Sequence, residues 1–325
     1  MRARAVACAG ALLIAAAATA SAHAGCDWPT VDNAASFTLA GRPVDAPDAR
    51  IVERSPDPRR PDRYAEAIGE AWLTVHRPAQ PDGSALLVLP GGGYRRVVLD
   101  KEGTALAPRF NAAGITLFVL HYRLPDIAHP DAADAPLVDA RTAMRQLRAC
   151  AADWSLDAAR IGVMGFSAGG HLAAQLATRR DARLPTPGGL RDGHDARPDF
   201  VVLGYPVISM DPAIAHAGSV ARLRAADASA DPATWSLDAL VDARTPPTFL
   251  LHAQDDTAVP VAHSLRFHRA LVAAGVPASL HVFPHGGHGF GIRDAHGPLA
   301  GWPDLAIAWM RALPADAAPG RPLDE

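Results

Sequence analysis

The pentapeptide Gly165-Phe166-Ser167-Ala168-Gly169 constrains this chain more than any other feature. Before it, Arg160-Ile161-Gly162-Val163-Met164 reads as a short buried strand. After it, Gly170-His171-Leu172-Ala173-Ala174-Gln175-Leu176-Ala177 reads as the first turns of a helix. A serine on a tight strand-to-helix turn projects its hydroxyl at the sheet edge, and crowding there calls for glycine on both sides. The helix N-terminus aims free N–H groups and the positive end of its dipole at the same spot, which suits a developing anion. Ser167 is therefore a candidate nucleophile, and the rest of the chain must supply the sheet that holds it.

The remaining pattern meets that demand. Strand-like apolar segments at 71–75, 85–89, 116–122, 160–165, 200–204, 248–252 and 279–283 alternate with helix-like segments at 102–113, 135–153, 170–179, 261–274 and 302–313. Continuous apolar strands alternating with helices predict an α/β fold: a mostly parallel sheet covered by helices on both faces. One domain over 65–325, with a small cap or none, is the economical assignment. Residues 209–245 break the alternation with weakly patterned, Ala/Asp-rich sequence, as a gating insertion or a plain surface excursion would. Within 25–64, the Pro-, Asp- and Arg-rich stretch 41–63 reads as a surface arm or linker.

Residues 1–24 read as a signal peptide. Arg2 and Arg4 precede an alanine-rich apolar run over 5–20, and Ala22-His23-Ala24 is an A-x-A cleavage signal, so the mature chain is expected to begin at Gly25. The apolar run falls short of the ~20 residues a spanning helix needs, so no stable membrane insertion is expected. The protein is expected to be exported, to the periplasm or out of the cell. A net charge of −3 offers no basic excess for nucleic acid. Cys26 and Cys150 remain after cleavage; oxidising conditions would allow them to pair, with a buried Cys150 and a free Cys26 as the alternative.

A serine hydroxyl needs a base, and the base an orienting acid. The segment after 248–252 carries Asp255 and Asp256; the arrangement Asp256-Thr257-Ala258-Val259-Pro260 favours Asp256. Beyond 279–283, Pro284-His285-Gly286-Gly287-His288-Gly289 presents His288 between two glycines, with His285 and His281 as weaker candidates. These three histidines lack the H-E-x-x-H framing of a zinc site, so no metal is expected, and no cofactor motif is found. Acyl transfer also needs donors for a tetrahedral oxyanion. The strand ending at Leu89 runs into Pro90-Gly91-Gly92-Gly93-Tyr94, and exposed N–H groups among these three glycines, with that of Ala168, are the candidates.

Together these residues resemble the α/β-hydrolase superfamily, and within it the acetyl xylan esterase-like branch related to small secreted feruloyl and acetyl esterases. The resemblance spans roughly 71–313. It rests on Pro90-Gly91-Gly92-Gly93-Tyr94, His121-Tyr122-Arg123-Leu124-Pro125, Gly165 through His171, Pro246-Pro247-Thr248-Phe249-Leu250 and Pro284 through Gly289. It implies a serine esterase acting on small acylated carbohydrates, with Ser167 as nucleophile, Asp256 as acid and His288 as base. Gly92, Gly93 and Ala168 would form the oxyanion hole. Pro90 stands where H-G-G-G relatives carry histidine, which removes a side chain that helps to hold the loop. A short-chain lipase or general carboxylesterase and a prolyl-oligopeptidase-like peptidase share the same residue order and are the alternatives. Tyr94, Trp154, Trp235 and Trp302 would stack on sugar or pack the core.

Overall fold

Apolar runs of five or six residues form the centre of the protein, each long enough to cross one sheet. A computed structural model describes residues 26, 28–29, 33–129, 131–180, 182, 184 and 194–314; the expected signal peptide lies outside them. In chain order the regular elements are β1 (Ser36–Thr38), β2 (Arg50–Glu53), β3 (Arg63–Glu66), β4 (Trp72–His76), β5 (Ala85–Leu89), β6 (Val97–Val98), α1 (Ala107–Asn111) and β7 (Thr116–His121). There follow α2 (Ala135–Ala149), β8 (Ile161–Phe166), α3 (Ala168–Thr178), β9 (Val201–Gly204), α4 (Ala217–Ala226), β10 (Thr248–Ala253), α5 (Ala262–Ala273), β11 (Ala278–Phe283) and α6 (Trp302–Ala312).

Eight strands form one sheet in the order β1-β4-β7-β5-β8-β9-β10-β11. From β7 to β11 every pairing is parallel, while β1 and β4 run antiparallel at one edge. Successive side chains of a strand point to opposite faces, and both faces are apolar. On β5, Leu87 and Leu89 pack with α2, α3 and α5, whereas Leu86 and Val88 pack with α1 and α6. Every residue of α3 is buried, which is why this helix is built of Ala, Gly and Leu rather than of an amphipathic pattern.

Two sequence expectations are corrected. The helix expected over 102–113 shrinks to a 3-10 turn at Thr104–Leu106 and the five residues of α1. Pro108 cannot donate a backbone hydrogen bond, so it is accommodated in the first turn of α1 and not mid-helix. The stretch 41–63, read as an arm or linker, carries β2, which pairs with β3, and β3 pairs in turn with β6 in a small antiparallel sheet beside the main one. Just ahead of it, β1 joins the main sheet and buries Phe37.

Of the two readings left open for the cysteines, the structure has Cys26 bonded to Cys150, which caps the C-terminus of α2. The neighbouring Trp28 is buried and donates through Nε1 to the Leu39 carbonyl at 2.9 Å, so the bridge ties the start of the described chain to the core. A cross-link between residues 124 apart removes unfolded-state entropy worth on the order of 4–5 kcal/mol. Replacing both cysteines by serine is expected to lower the urea midpoint markedly. An unchanged midpoint would show that the bridge contributes nothing.

Candidate active site

Because β5, β8, β9, β10 and β11 are parallel, their C-terminal ends share one edge of the sheet. The chain leaves that edge through Pro90-Gly91-Gly92-Gly93, Ser167, Tyr205, Asp255-Asp256 and, beyond β11, His288. Ser167 sits between β8 and α3 at φ 54° and ψ −119°, a conformation that L residues rarely adopt. Crowding sets its neighbours. A Cβ on Gly165 would lie 2.3 Å from the Gly169 carbonyl oxygen, and one on Gly169 would lie 2.0 Å from that of Leu89. Any larger residue at either position would push the turn away from the sheet.

The structure brings Ser167, His288 and Asp256 together. His288 Nε2 lies 2.8 Å from Ser167 Oγ, and its Nδ1 lies 2.7 Å from Asp256 Oδ2. A carboxylate accepts, so Nδ1 carries the proton and Nε2 is left to accept from the serine hydroxyl. The Asp256 side chain is fully buried. Its Oδ1 accepts from the N–H groups of Ala258 and Val259 at 3.0 and 2.9 Å. Burial alone would raise its pKa, but His252, His288 and the Val259 N–H outweigh that and hold the carboxyl well below the usual range. His252 Nε2–H is directed mainly at the Val259 carbonyl, 2.8 Å away, with Asp256 Oδ2 at 3.4 Å.

The weaker candidates lie apart from Ser167. Asp255 accepts from the Gly287 N–H at 2.8 Å and faces the exposed His285 at 3.4 Å. His281 stacks on Phe249 and hydrogen-bonds Ser279. Among the described residues no group of His, Cys, Asp and Glu side chains is arranged to hold a metal ion.

Gly92 and Gly93 have positive φ (138° and 65°), which turns the loop after β5 over Ser167. Among the described residues no protein hydrogen bond takes either N–H. Ala168 opens α3, where first-turn N–H groups have no partner one turn earlier. Three side chains hold this loop where H-G-G-G relatives would use histidine. Tyr122 donates to the Pro90 carbonyl at 2.6 Å. His171 Nε2–H donates to the Trp235 carbonyl, leaving Nδ1 to accept from Tyr94 at 2.8 Å. Glu102, only 3% exposed, accepts from the Gly91 N–H at 2.7 Å and from Tyr205 at 2.8 Å. Tyr205 also accepts from the Gly291 N–H and meets the His288 ring edge-on at 5.1 Å.

Glu102 thus ties the loop of Gly91 to the loop of His288, a role that reading the sequence missed. Beside Lys101 it looks like a solvated charge, and Tyr205 is 103 residues away along the chain. Glu102→Gln turns one acceptor into a donor facing an N–H or an O–H. It is expected to lower kcat about 10- to 100-fold with the fold retained, because sub-ångström misplacement of reacting groups is costly. A rate within twofold of the parent would remove Glu102 from this role.

A cavity of about 520 Å³ opens over Ser167 and His288. Part of its wall comes from 209–245, the segment left open as a gate or an excursion. This segment forms α4, capped by His216, which accepts from the Ser219 N–H and lines the cavity. Buried Met210, Leu223, Trp235 and Leu237 anchor it. Tyr94, Trp154, Trp235 and Trp302 are all buried and pack the core rather than present a face for sugar; Tyr64 is the aromatic that lines the cavity.

A family model described as an alpha/beta hydrolase fold matches residues 86–292. An acetylxylan esterase of Xylanibacter ruminicola is 33% identical over 255 residues, 76% of this chain and 49% of that protein. Endo-1,4-beta-xylanase B of Butyrivibrio fibrisolvens is 35% identical over 210 residues, 64% of this chain and 33% of that protein. The chain therefore spans half or less of the length of these curated relatives. The crystal structure of an acetyl ester-xyloside bifunctional hydrolase from Caldicellulosiruptor lactoaceticus is similar at a TM-score of 0.66 and 35% identity, covering 87% of this chain and 97% of that one. The matched family model and the parallel sheet turning at Ser167 lead to one assignment: this chain belongs to the alpha/beta-hydrolase fold family and resembles the acetylxylan esterases within it.

Proposed function

We propose that this protein is a serine carboxylic-ester hydrolase that deacylates, and first of all deacetylates, esters of plant polysaccharides or their oligosaccharides. The observation that carries this reading is the hydrogen-bonded chain Ser167–His288–Asp256, at 2.8 and 2.7 Å, under a loop with free N–H groups. His288 Nε2 takes the Oγ proton as Oγ bonds to the ester carbonyl carbon. The carbonyl oxygen becomes an oxyanion that accepts from the N–H groups of Gly92, Gly93 and Ala168. His288 then gives its proton to the leaving alcohol, the C–O bond breaks, and an acyl-Ser167 ester remains. Water, deprotonated by His288, attacks that ester, releasing the acid and restoring the serine.

The carbohydrate ester is supported by likeness to an acetylxylan esterase and to an acetyl ester-xyloside bifunctional hydrolase. Export is supported by the A-x-A leader and by the Cys26–Cys150 bridge, since such bridges persist in oxidising compartments. A fluorophosphonate probe followed by peptide mass mapping tests the chemistry. One adduct on Ser167, absent from Ser167→Ala, is expected; an unlabelled parent protein would sink the reading.

A further inference from the structure

The cavity over Ser167 is strongly cationic although the whole chain carries a net charge of −3. Six cationic side chains line it, Arg54, Arg63, Arg95, Arg96, Lys101 and Arg222, against two carboxylates, Asp62 and Glu102. Three of the cations are already neutralised: Arg54 by Asp62, Arg63 by the buried Asp100, and Lys101 by Asp294. Glu102 is committed to the Gly91 N–H and Tyr205. Arg95, Arg96 and Arg222 remain. Among the described residues none of these three has a carboxylate within ion-pair distance.

Their placement makes them one unit. Arg95 and Arg96 directly follow the Gly92-Gly93-Tyr94 turn, and Arg222, on α4, lines the same cavity. All three also line an adjoining cavity of about 600 Å³, so they form the partition between the two spaces. In that second space Glu66 is paired with Arg50, and Asp126 accepts from the Ala128 N–H. Arg96 is steadied over the Tyr64 ring, 4.6 Å from its centroid. Arg222 donates weakly to the Pro125 carbonyl at 3.4 Å, and its Nε is buried with no partner. Guanidinium forks match a carboxylate in shape and charge.

We infer that the natural ester carries a carboxylate, held by Arg95, Arg96 and Arg222 beside the reacting carbonyl, and that acylated sugars bearing a uronate are preferred to neutral ones. This rests on the serine-esterase reading and narrows its substrate class. A cleft lined by one sign of charge focuses the field and concentrates the oppositely charged substrate, and salt weakens that effect.

The test compares kcat/KM for acetylated xylo-oligosaccharides with and without a glucuronate branch, with 4-nitrophenyl acetate as neutral reference and mono-4-nitrophenyl succinate as a carboxylate on the acyl side. The branched oligosaccharide is expected to be about tenfold better at low ionic strength, with the advantage shrinking in about 0.5 M NaCl. Arg96→Gln with Arg222→Gln is expected to bring the charged-to-neutral ratio close to one. A preference shown by the succinate and not by the uronate overturns the uronate preference and moves the anion to the acyl side. Equal rates for charged and neutral esters in the parent protein, at every salt concentration, overturn the inference without touching the esterase reading. No turnover of 4-nitrophenyl acetate removes both.

Discussion

Asp256→Asn is expected to lower kcat by about four orders of magnitude with the fold retained. The reason lies in the two oxygens of the buried carboxylate. Oδ1 must remain an acceptor, because the Ala258 and Val259 N–H groups point at it. An asparagine must therefore set its NH₂ at the Oδ2 position, facing His288 Nδ1. That nitrogen then accepts, the imidazole proton moves to Nε2, and His288 can no longer take the Ser167 proton. Binding and the oxyanion donors are untouched, so KM should change far less than kcat. In the parent protein Asp256 is held well below the usual carboxylate range and stays ionised. Asp256 itself should therefore add no proton to the acid limb of kcat/KM. A rate for Asp256→Asn within tenfold of the parent would contradict the arrangement.

The fold itself is expected to fail in acid. Burial holds His121 down to about 3, and His171 and His263 down to about 4, against 6.5 for a free imidazole. Each is fixed as a neutral ring. His263 Nδ1 accepts from the N–H groups of Ile208 and Ser209 while Nε2 faces the Ile214 carbonyl. His171 spans Trp235 and Tyr94 in the same way. The sign follows from which state binds the proton. Above pH 6.5 both states are neutral at these sites and stability is intact. Below it the unfolded chain takes up protons that the folded chain refuses, so stability is lost as pH falls towards about 4. With three such groups the slope approaches roughly 4 kcal/mol per pH unit. Unfolding midpoints between pH 7 and 4.5 should fall steeply, and a flat profile would show that these rings are charged in the fold. Since His171 and His263 also anchor 208–235 beside the cavity, activity lost near pH 5 should not return on neutralisation.

The parts of this architecture that lie in single apolar segments are readable in the sequence. The runs 85–89, 248–252 and 279–283 fill one strand each, and the residues following them converge because parallel strands share an edge. Contacts between distant segments leave no such mark. Glu102 resembles any surface carboxylate until Gly91 and Tyr205 close on it. The strands β1, β2, β3 and β6 hold only two to four residues each, and β2 is largely exposed, so they lack the apolar period that marks a strand. The sequence alone does not separate a sugar-stacking role from a core role for Tyr94, Trp154, Trp235 and Trp302, because an indole or phenol serves a core equally well, and all four lie inside.

The most direct test is acetate released from acetylated xylo-oligosaccharides by the parent protein beside Ser167→Ala. Release by the parent protein, with Ser167→Ala reduced by at least about four orders of magnitude, is the expected result. Equal release by both proteins would contradict Ser167 as the nucleophile, and with it the central claim.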